Sequence, residues 1–375
     1  MKELKNLFVA MVLISMSVSL MAQTSELIPY RKGDKWGYCD KNKNIVIETK
    51  YDAVYPFIDG FARVSIGGNR DYGFYEGGKW GFINKNGKEV IRCKYDNVGD
   101  FNNGFAWVVL NDKWSLINKD GKEIITFKYD FALGFNEELA RVQLDGKWGF
   151  INKEGKEVIP CKYDNALEFS EGLAPVELNG IWGFINRDGK EVIPFKYEEA
   201  WSFSEGLAAV KLNGKEGFIN KEGIEVIPFK YDDAWSYSEG FAVVQLNDKW
   251  GFINKEGKEI IPCKYDYAEY FHEGFAMVKL NGKYGFLNNE GKEVIPLKYD
   301  NAGSFSEGLS PVSVGGNWAN GFYEGGKWGF IDKEGKEIVS FKYDELGDFS
   351  GDFALVKVDD KYGYIDKFGN EYWEE

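Results

Sequence analysis

Two carboxylates recur along this chain, one as Asp164 in Lys-Tyr-Asp and one as Glu171 in Phe-Ser-Glu-Gly, and paired carboxyls are what general acid/base chemistry uses. That chemistry needs one group protonated and the other ionised, hence two unlike environments. Near-identical copies supply near-identical surroundings, so hydrogen bonding to the backbone of the connecting segment is the expectation for these residues. Other chemistries are thinner. The single histidine, His272, stands where other copies carry Ser170, Ser204, Ser238 or Ser306. One ring excludes a histidine-rich centre and leaves any Ser-His or Cys-His arrangement resting on it alone. No phosphate-binding or dinucleotide fingerprint is present, and the Asn-Lys-Glu-Gly turns lack the acidic spacing of a calcium loop. No catalytic residue, metal or cofactor is expected.

The four cysteines carry no expected chemistry either. Cys93, Cys161 and Cys263 share one position of the repeat and lie two and three units apart, too far for the roughly 7 Å limit between bridged α-carbons. Buried free thiols are expected, with a Cys39–Cys93 bond the one pairing left open.

The elements that position these residues repeat. Trp36, Trp80, Trp114, Trp148, Trp182, Glu216, Trp250, Tyr284, Trp328 and Tyr362 share one position, spaced by 34 residues except for two gaps of 44. A fixed period of this size marks a repeat architecture whose units bury their faces on one another. Within a unit, "LAPVEL" from Leu173 alternates Ala174, Val176 and Leu178 with Pro175 and Glu177, the signature of a strand with one buried face. "KWGFIN" and "KEVIP" follow as strands apolar on both faces. Asn179-Gly180 suits a two-residue hairpin between the first and second, and the Asn152 to Gly155 turn a glycine bulge between the second and third. Lys43 replaces that glycine in the first copy, which predicts a strained or different turn there.

The expected fold is all-β: ten three-stranded antiparallel meanders, each whole within contiguous sequence. Because closed propellers typically have four to eight four-stranded blades and often build one from both chain ends, an open β-solenoid or superhelix is the leading architecture. A closed propeller-like ring is the alternative.

The pattern Trp-Gly-Phe-Ile-Asn, Gly-Lys-Glu-Val-Ile-Pro, Lys-Tyr-Asp and Phe-Ser-Glu-Gly-Leu-Ala resembles the WG, or KWG, repeat family across residues 27–375. The resemblance implies a bacterial β-repeat protein without a common enzymatic activity, serving in binding. Glu216, Tyr284 and Tyr362 depart from its tryptophan, and Ser115 from its glycine.

A tryptophan filled so regularly within an enclosed strand reads as packing between units. Function should lie where copies differ, since identical units cannot make a unique site. One such place is the connecting position occupied by Tyr55, Leu133, Leu167, Trp201 and Trp235, then Glu269 and Gly303. Trp201 and Trp235 in adjacent units, with Glu216 between them, would form an acidic notch flanked by aromatics, fit for a sugar, a cationic peptide or a basic surface. The second is a pair of Gly-rich insertions, 66–78 and 314–326, the latter carrying Trp318, read as long hairpins seven units apart that an array of about seven units per turn would align. The outward positions of the alternating strand also vary, as at Met277 and Lys279, and offer a broad face for protein or polysaccharide.

Composition bounds the rest. The 375 residues carry a net charge of −14, which disfavours nucleic acid and anionic membranes. Residues 1–22, with Lys2 and Lys5 before an apolar run from Leu7 to Val18 and Ala22 at the end, read as a signal peptide. They predict an exported, periplasmic or extracellular array from residue 23 to 375. The leading functional expectation is a non-catalytic scaffold binding a protein or glycan; a structural spacer, or less readily a carboxylate hydrolase, are the alternatives.

Overall fold

The computed structural model describes residues 27–374 apart from 72, 73, 320, 321, 351 and 360; the expected signal peptide lies outside the described residues, as do the side chains of 69–76, 317–324, 348 and 350. One unit shows how the repeat folds. Leu173–Leu178 pairs antiparallel with Ile181–Asn186, which pairs with Glu191–Tyr197. Asn179 and Gly180 take φ of 54° and 79°, the two left-handed residues that a tight hairpin of this twist requires. The middle strand is enclosed on both faces, with Phe184 and Ile185 0% and 1% exposed.

Every unit but the first also holds a strand that the alternation does not announce. Asn165–Ala166, in the connecting segment, pairs with Glu177 and Val176. Eight of the ten sheets have four strands, where three were expected; two residues are too few for a period-two pattern to register. We number the sheets as blades 1 to 10, so that blade 5 runs from Asn165 to Tyr197 and blade 8 from Tyr267 to Tyr299.

The glycine of Trp-Gly has a steric cause. Between the pairs Trp182↔Tyr197 and Phe184↔Ile193, one residue of the middle strand faces three of the last, a bulge that folds over Gly183. At the equivalent Gly149, a Cβ would stand 2.6 Å from the Ile159 carbonyl oxygen and 2.7 Å from Cys161 N, inside any tolerable contact. Blade 3 carries Ser115 there, and its last strand is reduced to the isolated bridges Trp114↔Tyr129 and Ile117↔Glu123, with Ser115 Oγ donating to the Ile125 carbonyl. Lys43, by contrast, keeps the turn of its glycine counterparts, at φ 62°; the Asp40 carboxylate accepts the Asn42 and Asn44 N–H groups and holds it.

The blades close into a ring, a ten-bladed β-propeller, and the open superhelix is not what forms. Arg31 in blade 1 makes a parallel bridge with Trp373, and Glu374 N donates to the Arg31 carbonyl at 3.0 Å. Trp36 and Tyr364 meet edge to face at 5.8 Å, and one core joins Ile28, Trp36 and Val64 to Phe353, Tyr364 and Tyr372. The sheets are nonetheless contiguous in sequence, as expected, and closure rests on this seam. The cores lie between blades: Phe150, Ile159 and Tyr163 of blade 4 pack with Phe169, Val176 and Ile185 of blade 5. No blade could bury these faces alone.

Closure also relocates the two insertions. They are hairpins of paired 11-residue strands, Phe61–Asp71 with Phe74–Asn84 in blade 2 and Leu309–Ala319 with Phe322–Asp332 in blade 9. On the ring only blades 10 and 1 separate them.

Candidate functional site

The repeated carboxylates clamp neighbouring blades on both rims of the ring. On one rim Asp164, between blades 4 and 5, accepts from Lys147 of blade 4 and from Asn179 N in the hairpin turn of blade 5 at 2.6 Å. The Lys147 ammonium holds its carboxyl below the usual carboxylate range. On the opposite rim Glu171 accepts from Gly206 N at 3.1 Å and pairs with Lys221 at 2.9 Å, both in blade 6. Burial raises its pKa, but Lys221 and the Gly206 N–H outweigh it and leave the group below its ordinary value. Asp96, Asp130, Asp232, Asp266, Asp300 and Asp344 repeat the first arrangement.

The copy-specific positions collect beside the aspartate clamps. In blade 8 a cleft of about 680 Å³ is lined by Asp266, Tyr267, Glu269, Met277, Lys279, Tyr284, Asn301 and Ala302. The same repeat positions in blade 6 are Glu198, Glu199, Trp201, Ala209, Lys211, Glu216, Asp233 and Ala234, so Trp201 and Glu216 stand where the cleft stands two blades on.

The sites differ in how they are filled. In blade 7, Trp235 lies half-buried against Trp250, Tyr270 and Tyr267, with ring centroids 5.0, 5.2 and 6.1 Å away. In blade 2, Tyr55 packs on Trp80 at 5.7 Å and under the Arg63 guanidinium at 3.9 Å. Blade 8 has Glu269 in place of that connecting aromatic, and its Tyr284 is covered by Lys279, whose ammonium lies 4.9 Å from the ring centroid.

Blade 6 is the exception. Glu216 is 3% exposed, buried among groups that face it from Asp233, Glu199 and Lys211, and accepts the Ala234 N–H at 2.6 Å. Burial first, then the Asp233 carboxylate, pushes its pKa up to about 7. It is not an open acidic notch. Trp201 is 43% exposed and does not share a cluster with Trp235. Trp318 lies in a hairpin strand, its side chain outside the described residues.

The sequence marked Glu269 as unlike its counterparts but pointed to Trp201, Trp235 and Glu216 as the site, and Tyr267 was not singled out; the signal was the loss of an aromatic at position 269. His272 is exposed, as its position implied. All four cysteines are free, burial raising Cys39 to about 12 and Cys93, Cys161 and Cys263 to about 11. Among the described residues no group of three or more His, Cys, Asp or Glu side chains could hold a metal ion.

These packing differences predict unequal costs. Trp201→Ala should change stability by no more than about 0.5 kcal/mol, whereas Trp235→Ala should lose roughly 2 kcal/mol from its aromatic cluster. Urea unfolding of the two variants measures the difference; equal values would contradict the packing described.

The chain belongs to the family described as WG containing repeat, whose pattern matches residues 36–69, 80–114, 114–148, 148–180, 182–215, 217–250, 250–284, 284–318 and 328–362. No curated protein sequence matches it. Its fold is similar to that of a eukaryotic initiation factor, with a TM-score of 0.56 over 92% of this chain and 95% of that one, at 12% identity. Weaker likenesses, too low to carry an argument, are to PorZ, a surface component of the type-IX secretion system of Porphyromonas gingivalis (TM-score 0.31, 10% identity, 92% and 51% covered), and to the extracellular domain of a hybrid two-component system from B. thetaiotaomicron (0.29, 10%, 92% and 55%). This chain spans about half the length of each of those two.

Proposed function

We propose that this protein is an exported, non-catalytic ring that binds a protein or glycan partner across its aspartate rim. The carrying observation is the division of labour among the residues: repeated positions are spent on clamps and inter-blade cores, while the unlike ones gather beside the aspartate clamps of one rim, where a cleft opens in blade 8. Both insertion hairpins rise from that rim, since Gly67 N and Gly315 N at their bases donate to Asp52 and Asp300 in the clamp positions, each at 2.8 Å. A ring does not lengthen as a solenoid would, which argues against a spacer. Export rests on the character of residues 1–22.

The test is capture from a bacterial envelope extract on the immobilised ring, with turnover measured in parallel on glycan and peptide libraries. Saturable capture without turnover is expected. Turnover, or retention no greater than on an unrelated acidic protein, overturns the reading.

A further inference from the structure

We propose that the blade 8 cleft is a saccharide site that seats one pyranose unit of a neutral glycan, an assignment that rests on the binding role above and narrows it. The cleft exists because the connecting aromatic is missing. Where blade 7 fills the place with Trp235 against Trp250, blade 8 has Glu269, and a space of about 680 Å³ opens between Tyr267, Tyr284 and the start of blade 9. That volume is in the range of small-ligand sites.

Its chemistry is amphoteric rather than charged. Asp266 is already neutralised by Lys249 at 2.7 Å and by the Asn281 N–H at 2.7 Å. Glu269, which accepts from the Tyr267 hydroxyl, and Lys279, whose ammonium lies over Tyr284, line the walls with opposite signs, so a cation would also meet the ammonium and an anion the carboxylate. A polyhydroxylated neutral ligand satisfies both, because each hydroxyl donates to one group and accepts from another. Asn301 adds donors: its amide oxygen takes the Ala302 N–H at 2.9 Å, which leaves the NH2 for a ligand. Tyr267 supplies an aromatic wall for the C–H face of a sugar ring. That wall is held in place, since the Tyr267 hydroxyl donates to Glu269 Oε1 and the ring is backed by Trp235 and Trp250 at 6.1 and 6.3 Å. A pre-set wall removes part of the ordering cost of binding.

The equivalent place in blade 6 lacks these features. Glu199, Glu216 and Asp233 crowd it with carboxylates against one lysine, Lys211, which pairs with Glu199 at 2.8 Å.

The experiment titrates the full chain with maltotriose, cellotriose, xylotriose, mannotriose and chitotriose, and with a galacturonic acid trisaccharide as the charged comparison, following indole fluorescence. Trp235 and Trp250 stand close enough to Tyr267 to report occupancy. At least one neutral trisaccharide is expected to saturate with a dissociation constant of about 1 mM, the strength that one sugar ring can supply. Glu269→Gln should weaken it about 10-fold through loss of a charged hydrogen-bond acceptor, Tyr267→Phe less, and Phe368→Ala, at an exposed position of blade 10, not at all, with thermal unfolding checking that each variant is folded. Absence of saturation with every neutral sugar overturns the assignment, as does tighter binding of the galacturonic acid trisaccharide or equal binding by Glu269→Gln. If no sugar binds but a captured envelope protein is lost on Glu269→Gln, the saccharide assignment falls while the binding role survives. If neither sugar nor protein is retained, both fall.

Discussion

Gly251→Ala is expected to lower the stability of the ring by about 3 kcal/mol, the upper range for forced overpacking of an interior position. A Cβ on Gly251 would stand 2.5 Å from the Ile261 carbonyl oxygen and 2.6 Å from Cys263 N. Both obstacles are backbone, so no side chain can swing aside. Either the bulge over residues 262–264 lifts away or the middle strand shifts, and each breaks pairing in blade 7. Blade 3 shows the first outcome in place, since Ser115 coincides with a last strand that keeps only isolated bridges. The converse change, Ser115→Gly, should raise amide protection over residues 123–128 as the ladder forms, though the Ser115 Oγ bond to Ile125 is lost. Chemical denaturation and hydrogen exchange measure the two effects. A Gly251→Ala protein as stable as the parent would show that the bulge yields at no cost, and the account of the Trp-Gly pair would be wrong.

Stability should also fall as pH rises from about 4.5 to about 7, because of Glu216. Its pKa is about 7 folded against 4.5 for the free side chain. A carboxyl whose folded value is raised keeps more protons in the folded state, so its share of stability is greatest below about pH 4.5 and is lost progressively up to about pH 7, with no further loss above. The shift corresponds to roughly 3 kcal/mol. Glu216→Gln keeps an oxygen for the Ala234 N–H and removes the titration, so it should stabilise the protein most above pH 7. Glu216→Trp restores the residue of the other blades and should act in the same direction, provided that Asp233 and Glu199 leave room for the ring. The urea midpoint of wild type and Glu216→Gln between pH 5 and pH 9 decides the matter: the curves should diverge with rising pH, and parallel curves would show that Glu216 is solvated or paired.

The strands and turns were legible because they follow from local rules. Alternation at Ala174, Val176 and Leu178 and the Asn179-Gly180 pair each fix their element without reference to the rest of the chain. Closure was not legible. It depends on the angle between blades, set by contacts such as Phe150 with Phe169 at 4.8 Å, and on one encounter of residues more than 340 positions apart, Arg31 with Trp373. Neither leaves a periodic trace. The site was half legible for a related reason. That function should gather at the unlike positions led to Trp201, Trp235 and Glu216, but whether such a position projects, packs or buries depends on the side chains it meets in its own blade and the next. Trp235 meets Trp250 and is absorbed, Trp201 stays exposed in the blade where Glu216 replaces that tryptophan, and the cleft opens at Glu269, where the ring is absent.

The seam has a bearing on how the molecule comes apart. A linear stack frays from its ends, shedding terminal repeats one at a time, whereas here the ends are tied to each other through Arg31, Trp373 and the Lys32–Glu374 pair at 3.4 Å. Unravelling must first undo that latch, after which blades 1 and 10 each lose a neighbour and fraying can proceed inward from both. Lifetime against heat or proteases is then governed by the opening rate of a single joint rather than by the summed strength of ten blades.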